Sequence, residues 1–133
     1  MNLADQSNRA FVLGNSAQGQ FRRVLCVCSA GVLRSPTAAW VFSNAPFNFN
    51  TRSAGTEDFA LVRVDAELLR WAEDGIVCME LKHAKVVDRL LEKHDLLRTV
   101  HILNIPDHYD FRDPRLVSML KNRGELLFKK ACA

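Results

Sequence analysis

Apolar positions fall into short clusters with two alternating periods. Val24-Leu-Cys-Val27 is a continuous apolar run, bounded by Arg23 and a Ser/Gly stretch. Such a run reads as a buried strand. Phe47, Phe49 and Thr51 alternate with Asn, which predicts a second strand broken at Ser53-Ala-Gly-Thr56. Ile76-Val-Cys-Met79 predicts a third strand, and residues 99–105 a fourth. Between these runs the spacing becomes helical. Residues 37–42 read as a helix stopped by Asn44-Ala-Pro46, with Pro36 well placed near its start. Asp65 is placed to cap a helix with Leu68, Leu69 and Ala72 on one face, and Gly75 to end it. Ala84, Val87 and Leu91 recur at helical spacing over residues 81–93. Asp113 and Pro114 look like the N-cap and first position of a last helix, with Leu116, Val117, Leu120, Gly124 and Leu127 inward.

Strand then helix, four times over, implies an α/β fold: a four-stranded parallel sheet between two helical layers. Ligands of such sheets bind at the carboxyl ends of the strands. Cys28 lies at one such end, and the loop 106–113 at another. A length of 133 residues suits one domain, expected over 21–133. Residues 1–20 are polar and rich in Gly, Asn, Gln and Ser, and read as a flexible arm. Arg9-Ala-Phe-Val-Leu13 is too short and too late for a signal peptide.

Charge changes this picture little. Eighteen basic residues against fifteen acidic ones give +3, without the clustering that marks a nucleic-acid surface. The weak positive balance suits a phosphorylated substrate. No apolar run approaches the ~18 residues of a membrane span. The four cysteines, Cys26, Cys28, Cys78 and Cys132, lack the paired spacing of a zinc site. Cys26 and Cys28 are expected on opposite faces of the first strand, and the thiols are read as reduced, in a cytoplasmic setting. His83, His94, His101 and His108 show no metal spacing either, so packing or surface roles are expected, with no metal and no cofactor. Trp40 and Trp71 read as helix-face packing residues, and the mixed charges over 82–98 as a solvated face.

The chemistry concentrates in Cys28-Ser-Ala-Gly-Val-Leu-Arg-Ser35, where five residues separate Cys28 from Arg34. Between a strand and a helix, a loop of this length can turn the N–H groups of Ser29, Ala30, Gly31, Val32 and Leu33 inward. They would surround an anion at a helix N-terminus, where the dipole also favours negative charge. The Arg34 guanidinium can fork onto two phosphate oxygens. The same positive field favours Cys28 as a thiolate nucleophile. Ser35 is placed to hydrogen-bond that sulfur when it leaves, and Gly31 can take positive φ. A second group must protonate the leaving oxygen and activate water. Candidates lie in Ile105-Pro-Asp-His-Tyr-Asp-Phe-Arg-Asp-Pro114. Asp107, just past the fourth strand, is preferred to Asp110, and Asp113 is explained by capping. Tyr109 could line the mouth and stack on an aromatic substrate.

These residues resemble the low-molecular-weight protein tyrosine phosphatase family. That family has its Cys loop after the first strand and its acid in a late Asp-Pro-Tyr motif, matched here by 28–35 and Asp107-His-Tyr109. The resemblance runs over residues 22–128 and is nearest to a short branch with an Ile-Pro-Asp-x-Tyr loop. It implies phosphate-monoester hydrolysis through a phosphocysteine, on a phosphorylated protein or a small phosphate ester. Ala30, Gly31 and Leu33 stand where the family has Gly, a bracing Asn and a second Cys. His108 stands in place of the motif's Pro. Three other readings share the Cys loop. A phosphocysteine phosphocarrier would not call for Arg34 or a late acid. A non-catalytic phosphate-binding module would carry an altered loop such as this. An arsenate reductase would need two further shuttling cysteines.

Overall fold

The computed structural model describes residues 22–132, so the arm expected over 1–20 lies outside the described residues. Strands β1 (Arg23–Cys28), β2 (Asn50–Gly55), β3 (Gly75–Cys78) and β4 (Val100–Ile102) form one parallel sheet in the order β2-β1-β3-β4. The helices are α1 (Arg34–Ser43), α2 (Ala66–Trp71), α3 (Leu81–Lys93) and α4 (Pro114–Cys132). Parallel strands need long crossovers, and each is supplied by one of the apolar-faced helices. The predicted three-layer α/β architecture is therefore the observed one. No helix among the described residues is long and apolar enough to cross a membrane.

Two apolar cores lie on opposite faces of the sheet. Val24, Cys26 and Cys28 face α1 and α4, through Val41, Phe42, Leu116 and Leu120. Leu25 and Val27 face α2 and α3, through Leu68, Leu69, Val87 and Leu91. Cys26 and Cys28 thus share a face, which corrects the expectation of opposite faces. Side chains two positions apart on a strand must point the same way. Phe42, Phe47, Phe49 and Phe128 form edge-on and tilted pairs at 5.0–6.3 Å between ring centres. Burying each ring stabilises the fold by about 1.5–3 kcal/mol.

Some boundaries differ from the pattern. Helix α1 begins at Arg34 rather than Thr37, because Pro36 falls within the first turn, where its missing N–H has no intrahelical partner. Strand β2 starts later and runs through the predicted break, pairing from Arg23↔Asn50 to Cys28↔Gly55. The Phe47/Phe49 alternation instead serves the aromatic cluster. Asp65 caps α2 as expected, accepting from Leu68 N–H at 2.9 Å. Gly75 does not end that helix; at φ +150° it opens β3. Strand β4 is shorter than 99–105, since Asn104 at φ +57° interrupts the ladder. Leu103 and Ile105 nevertheless donate to Cys78 O and Met79 O at 2.9 and 2.8 Å.

Candidate active site

The strand order reverses about β1: the chain leaves β1 for β2 on one side and returns to β3 on the other. The crevice beyond the carboxyl ends of β1 and β3 is where such a sheet binds ligands. Cys28 closes β1 at this point and is 3% exposed.

Three main-chain bonds shape the loop that follows. Cys28 O accepts from Thr56 N–H at 3.0 Å, Ser29 O from Glu57 N–H at 3.0 Å, and Ala30 O from Leu61 N–H at 3.1 Å. In a trans peptide the N–H points opposite to its carbonyl. Fixing these carbonyls on segment 56–61 therefore turns the N–H groups of Ser29, Ala30 and Gly31 the other way. Gly31 N–H accordingly donates to Cys28 Sγ at 3.2 Å. Gly31 has φ +70°, and a Cβ on it would lie 2.9 Å from Gly55 N. A Cβ on Gly55 would lie 2.4 Å from Ser29 O. The loop thus lies directly on the end of β2, backbone on backbone, and main-chain bonds brace it.

Ser35, in the first turn of α1, places Oγ 3.1 Å from Cys28 Sγ and donates to Ala54 O at 3.3 Å. It has a single proton. With a thiol, S–H donates to Oγ and the hydroxyl proton serves Ala54 O. With a thiolate, the hydroxyl can turn its proton to sulfur.

Arg34 is 1% exposed. Its NH1 donates to Glu80 Oε2 at 2.5 Å and to Ile105 O at 2.8 Å, which uses both protons of that nitrogen. The Nε–NH2 edge remains as a fork. Asp107 Oδ1 lies 3.7 Å from Nε, and the Asp107 side chain is 62% exposed. The Arg34 guanidinium and Asp107 thus lie side by side, and Arg34 follows directly on the loop that starts at Cys28. Asp113 pairs with Arg115 at 2.9 Å, which holds its carboxyl below the usual range, as a capping residue rather than a site residue. The loop 106–113 is pinned to α1 at its far end. Arg112 N–H donates to Thr37 Oγ1 at 2.9 Å, and the Arg112 guanidinium sits 4.4 Å over the Trp40 ring. Tyr109 is half-buried against the α1/α4 core, with the Arg115 guanidinium 5.4 Å over its ring.

Two residues at the start of α3 belong to this site and were not singled out from sequence. Glu80 is the counter-charge of Arg34, and that hydrogen bond holds its carboxyl below the usual range. For His83 the sequence suggests only a packing or surface role. It is 1% exposed, lies with Nε2 2.9 Å from Ser29 Oγ, and accepts Glu80 N–H on Nδ1 at 3.0 Å. Burial, then the Arg34 charge, pushes its pKa down from 6.5 to about 4, so the ring is neutral at ordinary pH. The available signal was local: a His three residues after Glu80, at a strand-to-helix turn, can reach back to the N-cap N–H. Burial raises Cys26 far above the usual thiol range and pushes Cys78 up to about 12. Among the described residues no group of three or more His, Cys, Asp or Glu side chains could hold a metal ion.

No protein-family model matches the chain, and no curated protein matches it in sequence. Solved structures do match. The tyrosine phosphatase Wzb from Escherichia coli K30, in complex with phosphate, is 17% identical with a TM-score of 0.63, covering 84% of this chain and 99% of that one. The low-molecular-weight protein tyrosine phosphatase SP-PTP from Streptococcus pyogenes is 14% identical with a TM-score of 0.64, covering 82% and 92%. The YwlE arginine phosphatase from Geobacillus stearothermophilus is 20% identical with a TM-score of 0.56, covering 82% and 94%. The chain therefore has the fold of the low-molecular-weight tyrosine phosphatases.

Proposed function

We propose that this protein is a cysteine-dependent phosphate-monoester hydrolase of the low-molecular-weight tyrosine phosphatase type. The observation that carries the reading is Cys28 Sγ, at the end of β1, held by Gly31 N–H and beside Ser35 Oγ, with Arg34 opening the next helix and Asp107 beside its guanidinium. The amides of residues 29–34 and the Nε–NH2 edge of Arg34 hold the three non-bridging oxygens. The Cys28 thiolate attacks phosphorus, and the bond to the leaving oxygen breaks as protonated Asp107 gives that oxygen its proton. Asp107, now a carboxylate, takes a proton from water. The water oxygen attacks phosphorus, the S–P bond breaks, and Ser35 donates to the departing thiolate. Tyr109 stands two residues beyond the acid and would meet the ester group at the mouth. The substrate class is a phosphorylated protein, phosphotyrosine first, or a small phosphate ester.

Arg34 and Asp107 favour turnover over a phosphocarrier or an inert phosphate-binding module, since they stabilise and drain the phosphocysteine. An arsenate reductase relay is disfavoured because Cys26 and Cys78, among the described thiols, are buried and hard to ionise. Buried free thiols suit the cytoplasm. The test is hydrolysis of para-nitrophenyl phosphate with inhibition by vanadate. Cys28→Ser should abolish turnover. Asp107→Asn should lower kcat by about 10²–10⁴, with Asp110→Asn close to wild type. Absence of wild-type turnover across roughly pH 5–8 overturns the reading.

A further inference from the structure

His83 spends both ring nitrogens on the phosphate site. Nδ1 accepts from Glu80 N–H at 3.0 Å, and Nε2 lies 2.9 Å from Ser29 Oγ. A main-chain N–H can only donate, so Nδ1 carries no proton. The neutral ring then carries its proton on Nε2, and Nε2–H donates to Ser29 Oγ. This tautomer excludes a Ser29–His83 nucleophile pair, in which Nε2 would have to accept the hydroxyl proton.

We propose that His83 is a positioning residue that locks the nucleophile loop and the phosphate clamp into one frame. On one side it fixes Ser29, the first residue after Cys28. On the other it fixes Glu80, whose carboxylate holds Arg34 NH1. The ring is rigid and buried, so it sets the separation of the two strand ends that flank the crevice, β1 and β3. No main-chain bond of α3 itself reaches the loop 29–33 among the described residues; Ser29 O and Ala30 O are bonded to segment 56–61, and Leu33 O to Thr37 N–H. The inference rests on the phosphate-site reading above.

The two nitrogens can be separated by substitution in the full chain. Asn at position 83 places its amide oxygen near Nδ1 and can keep Glu80 N–H, but it does not reach Ser29. Gln places its amide nitrogen near Nε2 and can keep Ser29. Vanadate affinity by calorimetry and para-nitrophenyl phosphate kinetics are the readouts, with melting temperature as control. His83→Asn should weaken vanadate and lower kcat/KM by about tenfold, the worth of one buried hydrogen bond. The melting temperature should move by only a few degrees. His83→Gln should recover most of that loss. Ser29→Ala should match His83→Asn, and combining the two should add nothing further. Wild-type vanadate affinity in His83→Asn, losses that multiply in the double variant, or Gln no better than Asn each overturn the proposal. So does an imidazole nitrogen NMR signal showing protonated Nδ1 at neutral pH. A wild type that binds vanadate without hydrolysing the ester overturns the hydrolase reading alone, and the binding arm still tests His83. A wild type that binds no vanadate overturns both.

Discussion

Gly31→Ala adds one methyl group where the loop lies on β2. Gly31 has φ +70°, a region that costs an L-residue about 1–2 kcal/mol. The new Cβ would also lie 2.9 Å from Gly55 N and 3.0 Å from Ala54 C. The strand end cannot retreat. Gly55 N–H donates to Val62 O at 2.8 Å, and Gly55 O accepts from Val64 N–H at 2.9 Å. Relieving such overpacking costs about 1–3 kcal/mol. The sum is about 2–5 kcal/mol, against a typical total stability of about 5–15. With a urea slope of about 1–3 kcal/mol per molar, the unfolding midpoint should fall by on the order of 1–2 M. In the variant that still folds, residue 31 must swing away from β2 and carry its N–H off Cys28 Sγ, now 3.2 Å away. If Cys28 reacts as the thiolate of the proposed mechanism, losing one donor to its sulfur is worth about 1.5–3 kcal/mol, or roughly 10- to 100-fold in kcat/KM. Urea unfolding followed by circular dichroism, and steady-state hydrolysis, read the two effects separately. A midpoint within about 0.3 M of wild type together with unchanged turnover would falsify the close backbone contact.

Two further predictions concern the start of α3. Glu80→Gln removes the counter-charge of a buried guanidinium; the full penalty of about 3–5 kcal/mol is reduced because the Glu80 side chain is 32% exposed, so a loss of about 1–2 kcal/mol in urea unfolding is expected. Lys82→Gln is the contrast: its Nζ is 3.9 Å from Glu80 Oε2 and exposed, and it should change stability by less than about 0.5 kcal/mol. Stability should also fall with acid through His83. The unfolded chain protonates it near 6.5, while the folded chain, through burial and then Arg34 and despite Glu80 and Asp107, resists until about 4. The contribution, about 3 kcal/mol at most, is complete above about pH 6.5 and is lost as pH falls towards 4. Urea midpoints between about pH 5 and 6.5 should slope in wild type and flatten in His83→Asn.

The strand–helix order was legible because each element carries its own apolar period, and α3 matched residue for residue. Cys28, Arg34 and Ser35 were legible because loop chemistry is local: a strand end, a fixed span and a helix start. Glu80 and His83 were not. Their roles depend on β3 lying beside β1, and their partners Arg34 and Ser29 are 46 and 54 positions away. The start of β2 was misjudged because Phe47 and Phe49 alternate for the aromatic cluster's sake, while main-chain pairing with β1 decides the strand.

Arg34 shows what this non-local frame achieves. A buried cation costs stability unless something opposes it, and here Glu80 and Ile105 O oppose it through NH1 alone. The counter-charge comes from the turn after β3, and the carbonyl from beyond β4. Both approach from the carboxyl ends of the sheet, on the same edge of the guanidinium. The Nε–NH2 edge is not used by either of them, and Nε has Asp107 Oδ1 3.7 Å away. Ordering a long side chain on binding costs about 0.5–1.5 kcal/mol; in this site that ordering is done when the protein folds. It follows that a substitution at Glu80 should weaken anion binding even where hydrolysis is not measured, because it frees the guanidinium to turn rather than removing any group that touches phosphate.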